Sequence, residues 1–305
     1  MIARVCARAY CFGFLMQETC SVCHISSSMR SSSPKERRSV LCVSKDTVNN
    51  IEAAQADAAV GYVDAMRRVY PELNPKCLPL GDGGYAVYAG KNSPLNRALG
   101  PALKPCGLQD VHQFYEAYGE KPQVDVYAFS DNSLLEALGD NRYCIRWFLN
   151  SYIKRLDTGL AAVSGSLPVE TSQTNCESAW TWALTVEEGF SGVMSDELKH
   201  PSIAYVNTQN PSVRCFLATI DSEPVGGAAL EVRRGIGLLF SASTCKEHRG
   251  LGVHAELIQV KLRAAKSLGC DIAVCMAAPG SESERNLVRA GFCMAYTRIR
   301  MQRRQ

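Results

Sequence analysis

The stretch CKEHRGLGVHAEL, Cys245 to Leu257, sets Gly250 and Gly252 two apart directly behind Arg249, and a helical pattern begins at once. GIGLLFSAST (235–244) before it reads as a strand. After it, Val253, Leu257, Val260, Ala264 and Leu268 recur on one face until Gly269. Arg263 and Lys266 suit the carbonyl end of that helix. A helix N-terminus presents unpaired N–H groups and a partial positive charge. Glycines there let the backbone curl and let a phosphate approach with no Cβ in the way. The joint therefore suits a pyrophosphate; its plainer reading is a tight turn. No Gly-Lys-Ser/Thr ends the stretch, so it is not a P-loop. The spacing is not G-x-G-x-x-G, and no acidic residue ends the next strand, which argues against a dinucleotide unit.

Working outward, CDIAVCM (270–276) reads as a buried strand. Ser281 with Glu284 forms a capping box for a helix ending at Ala290–Gly291, and FCMAYTRIRMQ is the last strand. Upstream, RCFLATI and VGGAALEVRR form a hairpin across Asp221–Pro224, after a helix over 176–190. Residues 157–175, rich in Gly, Ser and Thr, read as a linker. The first half offers a helix over 46–70, a strand at 85–90, a helix over 108–119, a strand at 124–129, a short helix at 132–139 and a strand at 144–156. The two halves repeat one order of elements, which implies a duplicated α/β fold with a mixed sheet.

The 305 residues suit two ordinary domains, and 46% hydrophobic with 21% charged residues excludes a disordered chain. A net charge of +3 without a long basic tract argues against nucleic acid, and no apolar run is long enough to span a bilayer. Fourteen cysteines are scattered, several within apolar runs, where free cysteine acts as a small hydrophobe; this points to a reducing, cytoplasmic setting. Residues 1–40 are arginine- and serine-rich and read as a disordered or targeting tail, with organellar import as one option and a start at Met29 as another. CSVCH, Cys20 to His24, has the spacing of haem attachment but lacks the context for haem or zinc. No metal site is expected.

STCKEHRGLGVHAELI, followed by PGSESERNLVRAGF, resembles the GNAT superfamily of N-acetyltransferases, whose coenzyme A loop is Arg/Gln-x-x-Gly-x-Gly/Ala. Arg249 and Gly252 match, and His254 stands at the last place. The resemblance covers roughly residues 176–302. It implies a tandem GNAT-like protein, with a degenerate domain at 41–157, a linker at 158–175 and an acetyl-CoA-binding catalytic domain at 176–305. It implies that Ala242, Ser243 and Thr244 pair with the pantetheine arm. Arg249, Gly250, Leu251, Gly252, Val253 and His254 would supply N–H donors to the pyrophosphate, and Ser283 and Asn286 would lie near the sulfur. The implied activity is direct acetyl transfer from acetyl-CoA to an amine, on a small molecule or peptide. The alternative is a coenzyme A-binding module that has lost turnover.

The sequence departs from the family where protons move. Leu287 stands at the place of the family's thiolate-protonating tyrosine, Leu238 at that of a strand glutamate base, and Gly280 replaces a common asparagine. Glu231 is then the first candidate base and Tyr296 a weaker candidate acid. The first half has no such loop: KNSPLNRALGPALKPCG stands between its strand and helix.

Overall fold

The computed structural model describes residues 43–304 except 82, 102 and 157–168. The features of the N-terminal tail, CSVCH among them, lie outside the described residues. The first half runs α1 (Lys45–Val69), β1 (Lys76–Pro79), β2 (Tyr85–Tyr88), β3 (Arg97–Leu99), α2 (Leu108–Glu116), β4 (Gln123–Tyr127), α3 (Asn132–Asp140) and β5 (Tyr143–Arg155). The second runs β6 (Glu170–Gln173), α4 (Ala179–Ser191), α5 (Ile203–Thr208), β7 (Val213–Ile220), β8 (Glu223–Arg233), β9 (Ile236–Thr244), α6 (Val253–Ser267), β10 (Ile272–Ala277), α7 (Glu282–Arg289) and β11 (Cys293–Arg303).

Local signals explain the main elements. Ser44 caps α1 through a bond from the Thr47 N–H, and Ser281 caps α7 through one from Glu284. Asp221 and Ser222 both take positive φ, as a two-residue hairpin between β7 and β8 requires. The expected linker is corrected in part: Glu170–Gln173 pairs with β7 as an edge strand, where polar side chains are tolerated.

The eleven strands of the described residues form one sheet, in the order β1-β2-β3-β4-β11-β5-β10-β9-β8-β7-β6. Its centre is a reciprocal exchange. β5 closes the first half in sequence yet pairs antiparallel with β10 of the second. β11 closes the second half yet pairs antiparallel with β4 of the first. The two exchanged strands also pair with each other from Tyr143–Arg303 to Ile153–Cys293. Each half thus lends the other a strand.

Helix α6 and α7 cover one face of the second half through Val253, Leu257, Leu262 and Leu287. Trp182 and Val186 of α4 and Ala204 of α5 pack on the other. Helices α2 and α3 cover the first half through Leu108, Tyr115 and Leu138. Helix α1 spans the junction, with Val48, Ile51 and Ala54 against Ile153, Leu238, Val274 and Tyr296. This stretch of the central strands is thereby covered, whereas Ile145 and Phe148 of β5 and Met294 of β11 stay exposed.

Candidate active site

The site begins where β9 parts from β10. Their parallel pairing runs from Ile236–Ile272 to Leu239–Cys275 and stops, although β9 continues to Thr244 and β10 to Ala277. Opposite, the β8 register jumps from Gly227–Ser243 to Ala229–Phe240, so β9 holds an extra residue there. Ser241 takes φ +48° within this bulge. A bulge bends its strand and strengthens the local twist, which turns the end of β9 away from β10. Asn207 of α5 supports it, donating from Nδ2 to the Ser241 hydroxyl at 3.3 Å. Cys245 donates its N–H to the Val225 carbonyl, so by the alternation of an antiparallel ladder the Thr244 N–H points away from β8, into the fork.

The glycine loop closes the end of the fork. Lys246–His248 makes one tight turn, and then Gly250 and Gly252 both lie in the left-handed region, at φ +84° and +85°. A side chain at Gly250 would meet only open space, so this glycine serves the backbone turn rather than close packing. Gly252 is the N-cap of α6 and offers no side chain to its first N–H groups, which are left for an anion. Gly226 lets the helix start lie close: a Cβ there would stand 2.9 Å from Cγ1 of Val253.

Arg249 corrects one expectation. Its backbone N–H goes to the Lys246 carbonyl, and its guanidinium donates to the Gly189 carbonyl at 3.1 Å and the Thr244 carbonyl at 3.4 Å. It fastens the loop to the end of α4. His254 is half-buried rather than solvated; burial, and then the Lys261 charge, lower its pKa to about 4, so the ring is neutral near pH 7. Lys261 is itself buried, which brings its pKa down to about 8.

A cavity of about 120 Å³ runs from the fork to α1. Phe240, Ser241 and Ala242 line it from β9, Met276 from β10 and Ser283 from the first turn of α7. Asn286 is not among its lining residues and accepts from Arg289 at 3.0 Å. The Ser243 hydroxyl is turned to the Val186 carbonyl of α4.

Glu231 lines the cavity and is buried. It pairs across the strands with Leu238, so a carboxylate on β8 stands beside the place where β9 carries leucine. Burial raises its pKa, opposed by Arg233, whose Nη2 lies 2.6 Å away. Tyr296 is not among the lining residues. It is buried, and its hydroxyl donates to Glu52 of α1 at 2.6 Å, so its position gives the acid role no support.

Two groups escaped sequence reading. Tyr152 of β5 pairs with Cys275, the residue at which β10 leaves β9. It packs in the same cluster as Leu287, and its hydroxyl donates to Glu284 of α7. Burial, and then that bond, push its pKa up to about 12. The other is a buried ion network. Arg298 of β11 grips Glu52, with Nη2 at 2.7 Å, and Arg300 grips Asp125 of β4 with two bonds of 2.5 and 2.9 Å. Arg97 of β3 reaches Asp125 at 2.9 Å. Burial would raise the Asp125 pKa, but Arg300, Arg97 and Arg298 outweigh it and hold the group at about 2. Arg298 and Glu52, like Arg300 and Asp125, are more than a hundred residues apart and leave no local signal.

No protein-family model matches the chain, and no curated protein matches it. Solved structures do. A GCN5-related N-acetyltransferase from Kribbella flavida aligns at 14% identity and a TM-score of 0.56, over 82% of this chain and 95% of that one. A GCN5-related N-acetyltransferase from Sphaerobacter thermophilus aligns at 17% identity and 0.52, over 84% and 94%. A conserved protein of unknown function from Staphylococcus epidermidis aligns at 10% identity and 0.53, over 78% and 96%. At these identities the likeness is one of fold, and it spans both halves.

Proposed function

We propose that this chain, whose fold is that of the GCN5-related N-acetyltransferases, transfers an acetyl group from acetyl-CoA to an amine held in the cavity behind the fork. The observation that carries the reading is the continuity of three features: an uncapped helix entrance with two left-handed glycines, a fork between two parallel strands, and a cavity opening from that fork. The residues fit the co-substrate. Gly250 to His254 would hold the pyrophosphate through backbone N–H groups, and the free edge of β9 from Ala242 to Thr244 would pair with the pantetheine arm. Acetyl-CoA supplies an activated acyl thioester. The amine's lone pair forms the C–N bond as the C–S bond breaks. The Thr244 N–H polarises the carbonyl oxygen, Glu231 takes the amine's proton through water, and the thiolate leaves and takes its proton from water. Holding amine and thioester together supplies much of the acceleration.

The rival reading, a coenzyme A-binding module without turnover, rests on Leu238 and Leu287. Release of free thiol from acetyl-CoA across a panel of amines separates the two. Glu231→Gln should lower turnover roughly a hundredfold with acetyl-CoA affinity unchanged. An unchanged pH–rate profile in that variant removes Glu231 from the mechanism. No thiol release with any amine, together with intact acetyl-CoA binding, leaves the rival standing.

A further inference from the structure

The hairpin joining β8 to β9 carries two arginines side by side and gives each to a different carboxylate. Arg233 closes the ladder opposite Ile236, and Arg234 and Gly235 both take positive φ, as a two-residue turn requires. Alternation along β8 puts Arg233 on the same face as Glu231, two residues back. Its Nε donates to Glu231 Oε1 at 2.7 Å, and its Nη2 lies 2.6 Å from the same oxygen. Oε2 receives no hydrogen bond from the described residues. Arg234 pairs instead with Asp57 of α1 at 2.7 Å. Helix α1 also seats Arg233. A Cβ at Gly61, in the interior of that helix, would stand 2.5 Å from Arg233 Nη2. Glycine is unfavourable in a helix interior, so one there calls for a packing reason, and the guanidinium supplies it. Asp57 and Gly61 lie four apart, on one face of α1, and so meet the two arginines of one turn.

Few charges act on Glu231. Arg233 faces it from its own strand and Asp57 from α1, while Leu238 stands opposite on β9. Arg234 offsets Asp57. Farther round the cavity, Arg97, Arg298 and Arg300 are held by Glu52 and Asp125. Tyr62 lines it too and stays neutral, because burial, then Tyr70 and Glu187, raise its pKa. Burial disfavours the ionised form of Glu231, and Arg233 is the group that opposes burial. A general base must be ionised and must offer an oxygen not already bonded. A guanidinium fixed to Oε1 alone meets both needs.

We infer that Arg233, seated on Gly61, is a positioning residue for the transfer: it holds Glu231 by Oε1 in the orientation that leaves Oε2 to take the amine's proton through water. This rests on the transfer reading above and on Glu231 as its base. Arg233 itself touches neither amine nor thioester and acts through the carboxylate.

The test uses the full chain with acetyl-CoA and an amine found active by thiol release. Arg233→Met removes the charge at similar bulk. Burial then goes unopposed and favours the protonated acid, so the acid limb of kcat/KM should move up by about one to three pH units. Arg233→Lys returns the charge and should bring the limb back toward wild type, with kcat still reduced. Gly61→Ala keeps the arginine but pushes its guanidinium aside; it should move the limb upward too, and it serves if Arg233→Met does not fold. Arg233→Met added to Glu231→Gln should cost nothing beyond Glu231→Gln alone. A limb unmoved in Arg233→Met, or in Gly61→Ala where Arg233→Met does not fold, overturns the inference, as does a further loss in the double variant. A silent Glu231→Gln overturns it as well and leaves the transfer reading standing. Carboxyl-carbon NMR reads Glu231 without turnover, its signal identified by its loss in Glu231→Gln. A titration raised in Arg233→Met with no thiol release from any amine upholds the arginine's hold and overturns the transfer reading; an unchanged titration overturns the inference itself.

Discussion

The two halves of the sheet repeat one plan and differ at one joint. In the first, β3 runs parallel to β4 with α2 between them; in the second, β9 runs parallel to β10 with α6 between them. At the second joint two left-handed glycines open onto a bare helix entrance. At the first, a 3-10 turn over Pro105–Gly107 runs straight into α2, and Gly107 is right-handed. Proline has no N–H, and the continuous turn takes up the backbone groups an anion would need. Parallel pairing also shrinks to the single bridge Ala98–Val124, and the first half has no long fork. One scaffold thus keeps its folding role in both copies, while among the described residues the left-handed glycines before a bare helix entrance belong to the second joint.

The comparison breaks most severely at the exchange. Removing residues 293–304 takes the central strand from β4 and from β5 together. The truncated chain is expected not to fold, and the full chain to show a single calorimetric transition; two separate transitions would mean the halves are energetically independent. Next comes the buried network that locks the exchanged strand. Asp125→Ala strands the charges of Arg300 and Arg97 and should cost about 3–5 kcal/mol in urea unfolding. The joints are compared directly by Gly252→Asp and Gly107→Asp. The first forces a side chain into a left-handed position and sets a negative charge at the helix entrance, lowering acetyl-CoA affinity roughly a hundredfold. The second should leave that affinity alone, and equal losses in calorimetry would erase the distinction.

The smallest effect is one of pH. His254 has its pKa lowered from 6.5 to about 4 in the folded state. Its neutral form therefore contributes stability that is fully present above 6.5 and lost as pH falls toward 4. The melting temperature should decline by a few degrees across that window in wild type, and His254→Asn should flatten the decline. Asp125 acts lower, losing its contribution between 3.8 and about 2, so the two limbs separate on the pH axis.

Most of this plan is legible in the sequence. The apolar period of α6, the capping serine of α7 and the Asp221–Ser222 turn each follow from neighbours a few residues apart. So does the glycine joint, because its chemistry is local backbone geometry. What escapes is long-range. Arg298 and Arg300 alternate with Ile299 and Met301, a pattern that reads as a strand with one wet face. Here the wet face is covered by α1, and the arginines find Glu52 and Asp125 instead. The exchange is equally silent, since β5 and β11 carry side chains that would suit either neighbour. Short strands such as β1, β3 and β6 hold too few residues to display a period, and Tyr152 comes beside β10 only because β5 crosses over.

The exchanged strands also set a timetable for synthesis. Tyr127 ends β4, and the residues that pair with it and its neighbours, Arg298 to Gln302, come about 175 residues later. At roughly 5–20 residues per second, the ribosome needs about ten to thirty-five seconds to deliver them. Through that interval β4 presents an open edge, Asp125 lacks Arg298 and Arg300, and the first half waits as a nascent intermediate. Chaperone dependence and aggregation should therefore concentrate on the first half of the growing chain, and slower translation should lengthen its exposure.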